Sequence, residues 1–184
     1  MTDTITIFRE RADRFSAILA GVNGRWDVAS PCENWTVGEV PDRKSVVTER
    51  DFLVRQGLNL DDAGTTDPRQ NWELHRQQVT DLLGQDGLAE RHYDGYFGPT
   101  TIGETVANFY GWDLAIHGWD VAAATGQQGA ITPAEAEQLL EGAEGWGEAL
   151  YSEGVCRPAV QVPADADVVD RLLAKLGRDP RWTP

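Results

Sequence analysis

The sequence predicts an all-α protein: one domain over residues 1–184, built as a bundle of four long amphipathic helices with additional short helices towards the C-terminus. Three observations carry this. Apolar residues recur every three or four positions in long stretches. Residues that start and stop helices bracket those stretches. Strand-like patterning is confined to Ala159-Val-Gln-Val162. Connections of several residues between long helices suit an antiparallel bundle, and no break in composition divides the chain.

The first helix is predicted from Ile5, Phe8, Ala12, Phe15, Leu19 and Val22, and Gly24 ends it. Thr36-Val-Gly-Glu39 spells a capping box, with Thr at the N-cap and Glu three residues on. The helix it opens runs to about Gly57, with Val40, Val47 and Val54 as its inward stripe. Pro41 sits one turn in, where it removes a backbone bond and crowds the carbonyl of Val37, so a kink or a late start is expected there. Asp67-Pro68 starts a third helix, carried by Trp72, His75, Val79, Leu82 and Leu83 and closed by Gly84. Residues 85–99 read as a long glycine-containing loop. Thr101-Ile-Gly-Glu104 repeats the capping-box spelling and opens the longest helix, to Thr125 with Gly126 beyond it. A fifth helix follows from Thr132 to about Tyr151, then an extended crossing through Pro158–Pro163. A short helix over about 167–176 ends at Gly177.

The net charge of −14 disfavours nucleic acid and anionic membrane as partners. No apolar run approaches the roughly 20 residues that span a bilayer, and the first residues lack the basic and apolar blocks of a signal peptide. Cys32 and Cys156 are the only cysteines, far apart and in no metal or redox spacing, which suits a reducing cytoplasm. Neither has a base beside it in sequence, so neither reads as a nucleophile.

Asp113 and His117 stand at i and i+4 on the longest helix, on one line with Val106, Tyr110, Val121 and Ala124. An acid and a base are therefore aimed at the core, with Asp120 one turn on to orient the imidazole. Tyr110 is a candidate phenol donor or a packing residue. Arg43 falls on the Val40/Val47 stripe of the second helix and faces inward, unless Pro41 resets the register. His75, on the Trp72/Val79 stripe, could supply a replacement metal ligand. No glycine pattern matches a phosphate-binding loop.

Pro31-Cys-Glu-Asn-Trp-Thr-Val37, Asp113-Leu-Ala-Ile-His-Gly-Trp-Asp120 and Gly177-Arg-Asp-Pro-Arg-Trp182 together resemble the DinB-like, mycothiol-dependent maleylpyruvate isomerase group of actinobacterial proteins. The resemblance implies a DinB-like four-helix bundle with zinc or nickel held between the second and fourth helices, where it activates a low-molecular-weight thiol for isomerisation or transfer. It puts two ligands on Asp113 and His117 and the third on Arg43. Arginine cannot ligate a metal, because its guanidinium stays protonated. The expectation is a degraded metal site with no stably bound ion, in which Arg43 fills the metal's place and pairs with Asp113. The pocket is expected between the second, third and fourth helices.

Three functions follow. The first is a small cytoplasmic thiol-dependent isomerase or transferase acting on a small organic electrophile. The second is a metal-free isomerase, lyase or cyclase using Arg43, Asp113 and His117, with Tyr110 beside them. The third is a ligand-binding module without catalysis. The partner in each case is a small-molecule substrate or ligand, and a homo-oligomer is compatible with the sequence.

Overall fold

Helices dominate the computed structural model, which describes residues 4–32, 34–128, 130–152 and 155–184. Helix α1, Thr4–Ala20, buries Phe8, Ala12, Phe15, Ile18 and Leu19, following its predicted stripe. The capping box at Thr36 is made: its N–H donates to Glu39 Oε2 at 2.9 Å, and the Glu39 N–H donates back to Thr36 Oγ1 at 3.3 Å.

The second helix then departs from expectation. It opens as a π-helical stretch, Val40–Val46, before becoming regular as α2, Val47–Arg55. Pro41 has no N–H to give and its ring crowds the preceding turn, and a wider turn relieves both. A π-turn adds about one residue to the helical repeat, so everything after it rotates. Val46, Glu49, Phe52 and Leu53 now face inward, whereas Val47 and Val54 are 41% and 49% exposed. Of the predicted stripe only Val40 is buried.

Helix α3, Pro68–Leu83, begins where the Asp67 carboxylate accepts the N–H groups of Arg69 and Gln70. It buries Trp72, whose indole N–H donates to Ser16 Oγ at 2.8 Å and whose ring packs nearly perpendicular to Phe15. The stretch read as a loop contains an antiparallel hairpin, β1 (His92–Gly95) with β2 (Gly98–Thr101). Tyr96 and Phe97 form its exposed turn. By contrast, residues 159–162 form no strand; the Val160 N–H donates to the Ala174 carbonyl instead.

The capping box of Thr101 and Glu104 opens a continuous rod: α4 (Ile102–Thr105), a π-helical segment (Val106–Tyr110) and α5 (Gly111–Thr125). Gly126, left-handed at φ 72°, stops it. After it come α6 (Pro133–Gly145), a 3₁₀ turn (Gly147–Tyr151) and α7 (Val168–Lys175).

Helix α1 packs on α5 and α3, and the π-opened second helix packs on α3 and α5, so four helical stretches enclose one core. Gly118 allows the α1–α5 approach: a Cβ there would lie 3.2 Å from Ile18 Cδ1. A second core joins Trp112 and Ile116 of α5 to Leu139, Leu150, Leu172 and Leu176. Helix α5 thus serves both cores. No helix among the described residues is long and apolar enough to cross a membrane.

After α7 the chain turns back at Gly177, φ 73°, and the Arg178 N–H returns to the Leu173 carbonyl at 2.9 Å. A Cβ on Gly177 would lie 2.7 Å from Arg157 Cβ and 2.8 Å from its carbonyl oxygen. Both the backbone conformation and the space therefore require glycine. Gly177→Ala should lower the unfolding free energy by more than ~1 kcal/mol, measured by urea titration against the unchanged chain.

Candidate functional site

Asp113, His117 and Asp120 occupy successive turns of α5, as their spacing dictates. His117 is buried, and its Nδ1 lies 2.9 Å from Asp120 Oδ2. Asp120 has no exposed surface and is gripped from the other side by Arg178, whose Nε donates to Oδ1 at 3.1 Å and Nη2 to Oδ2 at 2.9 Å. The third Arg178 nitrogen, Nη1, donates to the Leu176 carbonyl at 3.1 Å. Such a two-pronged guanidinium–carboxylate contact fixes both position and orientation.

Charge follows from these contacts. Burial pushes the Asp120 carboxyl up, but the Arg178 charge and the bonds from His117 and Arg178 overcome it and hold it at about 2. Asp120 is therefore an ionised, acceptor-only group, and His117 Nδ1 must carry a hydrogen. Nε2 is the position left for chemistry. It stands 3.3 Å from Asp113 Oδ1, on the side where the Asp113 side chain is 30% exposed. Burial opposes a charged ring here too. The Asp113 carboxylate, together with contacts from Asp120 and the Cys32 thiol, outweighs it and raises His117 well above the ordinary imidazole range.

Arg43 is not part of this site. It is exposed, and its guanidinium lies over the Trp35 ring, 5.4 Å from the centroid, with Lys44 beside it at 5.7 Å. No Arg43–Asp113 ion pair exists among the described residues. The π-turn at Pro41 rotates position 43 outward, which is the register reset the sequence left open. A guanidinium does reach the site, but from Arg178, a residue the sequence reading missed. Its only signal was membership of the C-terminal motif Gly177–Trp182.

Other expectations also change. His75 is buried, but its Nε2 is committed to Glu49 Oε2 at 2.8 Å, so it does not replace a ligand beside His117. Tyr110 packs between Phe52 and Phe109, and burial, followed by the nearby Glu49 charge, raises its phenol pKa. It serves the core. The expected pocket between the second, third and fourth helices is not where the described cavities lie. A cleft of about 650 Å³ runs between α1, α5 and α6, past Arg11, Arg14 and Glu135. A smaller one, about 340 Å³, lies between Ser30, Pro31 and Asn34 on one side and Gly177, Asp179 and Trp182 on the other. The smaller cleft adjoins the chemistry, because its walls flank Cys32 and Arg178.

Neither cysteine has a base beside it in sequence, yet the fold places both at the site. A Cys32, a His117 and an Asp120 ligand atom lie within 4.8 Å of one another. Cys156 is within reach of the Arg178 guanidinium; burial, offset in part by that charge, raises its thiol pKa.

Three donors, from Cys32, His117 and Asp120, lie close enough together to hold a metal ion, and their other bonds constrain them. Of the three grouped donors, Asp120 already spends both oxygens on Arg178 and His117. The fixed Arg178 charge stands against it. Position 43, where the resemblance implies the third ligand, faces away. A closed or three-ligand metal site needs donors free to turn towards the ion.

Asp120→Ala would strand a buried guanidinium and should cost about 3–5 kcal/mol of stability, read from denaturant unfolding. The raised His117 makes stability depend on pH with a definite sign. Its contribution is complete below the unfolded value of about 6.5 and is lost as pH rises through the higher folded value. His117→Gln should therefore flatten the fall in unfolding free energy that sets in as pH rises above about 6.5. No protein-family model, curated protein or solved structure matches this chain, so what the site does follows from its own residues.

Proposed function

We propose that this chain is a small cytoplasmic DinB-like enzyme, resembling the thiol-dependent isomerases and transferases, that acts on a small organic electrophile without a resident metal. The observation that carries the reading is the His117 ring. It is pinned at Nδ1 by a clamped, ionised carboxylate and presents Nε2 to a second carboxylate, Asp113, at the more open side of the site.

A buried imidazole that serves only as packing has no need of two carboxylates. Here Asp120 fixes the tautomer and supports the cationic ring, in the manner of an orienting acid behind a catalytic histidine. Nε2–H can give a proton to a substrate carbon or oxygen while Asp113 Oδ1, 3.3 Å away, takes one from a neighbouring position. Paired acid and base at that separation suit a proton shift within one small molecule, the elementary step of isomerisation. The Arg178 charge behind Asp120 favours a substrate that becomes more negative as it reacts. The enclosure of four helical stretches around one core suits a DinB-like frame.

One specific observation favours a second reading, a non-catalytic module. The Asp120–Arg178 pair ties the C-terminal segment to α5, and His117 could complete that tie without reacting. One experiment separates the two. With a cis-unsaturated keto acid of the maleylpyruvate type and a low-molecular-weight thiol, His117→Ala should lower turnover at least ~100-fold while circular dichroism stays native. A variant that loses only melting temperature would make the site a structural clamp.

A further inference from the structure

The larger cleft, about 650 Å³, lies in the size range of small-molecule sites and shares no residue with the His117 site. Its inner part is built around one carboxylate held by two guanidinium groups. Arg14 Nη1 donates to Glu135 Oε2, and Arg11 Nε stands 3.7 Å from Glu135 Oε1. Arg11 also gives Nη1 to the Ala107 carbonyl at 3.0 Å. The Arg11 and Glu135 side chains are nearly buried, at 12% and 11% exposure. Two cations thus share a single counter-charge, and among the described residues the Nη2 group of neither arginine makes a hydrogen bond. Guanidinium groups with unspent N–H donors suit a carboxylate. The rim has the opposite sign, because Glu10 and Glu141 line the same cleft and are exposed.

Trp112 adds apolar surface to the cleft, with Ile7. Its indole N–H is already spent on the Leu139 carbonyl at 3.0 Å. Gly142 of α6 keeps the edge of that ring open. A Cβ there would meet Trp112 Cδ1 and Nε1 at 3.7 Å, an ordinary contact, so packing does not require glycine. Glycine inside a helix is destabilising relative to alanine, and the space it leaves belongs to the cleft.

We propose that this cleft binds a free α-amino acid with an apolar side chain. Its carboxylate meets Arg11 and Arg14, its ammonium turns towards Glu10 and Glu141, and its side chain lies against Trp112 and Ile7. The charges of the lining decide the class. A plain carboxylate would gain the arginines but meet two rim carboxylates of its own sign, and a plain amine would meet the reverse. A zwitterion satisfies both, and it enters the field of a chain with net charge −14 without net repulsion. The inference is independent of the proposed function, since no step of that reaction uses this cleft.

Titration of the intact chain with L-phenylalanine, followed by NMR, tests the site without any turnover. One equivalent should bind with a dissociation constant no higher than ~5 mM, given the per-atom efficiency of small ligands. 3-Phenylpropionate and 2-phenylethylamine each lack one of the two charges and should bind at least ~10-fold more weakly. Arg14→Gln should weaken phenylalanine binding by a similar factor. Gly142→Leu should abolish it, because the longer side chain fills the space beside Trp112, while leucine favours the helix more than glycine does. Failure of phenylalanine to saturate the unaltered chain would overturn the assignment, as would either single-charge analogue binding as tightly, whatever the folding of the variants. So would full affinity in a folded Gly142→Leu chain.

Discussion

The buried contact between Asp120 and Arg178 is the constraint on which the site depends. Neither charge could be left alone at that depth, since an unpaired ion in the interior costs several kcal/mol. Each oxygen of one therefore meets a nitrogen of the other, and the remaining guanidinium nitrogen takes the Leu176 carbonyl. The consequences run in two directions. Along the chain, the pair binds the turn after α7 to the middle of α5 and fixes one wall of the smaller cleft. Across the site, it keeps Asp120 ionised, and an ionised Asp120 dictates which His117 nitrogen holds a hydrogen. A contact that looks like a fold-stabilising ion pair thereby sets the protonation of the group most suited to chemistry.

Helix α5 is the natural place for such a contact because it faces two cores. One side carries Leu114, Val121 and Ala124 into the core shared with α1, the second helix and α3, and the other carries Trp112 and Ile116 towards α6 and α7. Polar residues at the seam between them can be buried and still be reached from the C-terminal segment. The partial exposure of Asp113 and Cys32 keeps one edge of that seam open.

The second helix shows how one residue can redirect a prediction. Its capping box forms, and its helix exists, yet Pro41 widens the first turns into a π-helix and turns the later residues by about one position. Arg43 leaves the interior for the face of Trp35, and Glu49 enters it to pair with His75. A guanidinium was expected to take the role of a cation next to Asp113. The one that arrives stands behind Asp120 instead, one shell further from Nε2, where it polarises without blocking.

Local rules were enough for much of this. The caps at Thr36, Asp67, Thr101, Thr132 and Asp167, the stop at Gly126, and the shared line of Asp113 and His117 all depend on groups within four residues of one another, and sequence spacing encodes such distances directly. Asp120 beneath the imidazole belongs to the same class. What joined Arg178 to Asp120, and Cys32 to His117, was the closing of two cores around α5, and no local periodicity records a meeting between segments so far apart. The hairpin at residues 92–101 and the turning of Arg43 outward were likewise settled in three dimensions. Strand pairing and the relief of a proline clash are decided by the neighbours each segment finds, which the order of residues alone does not state.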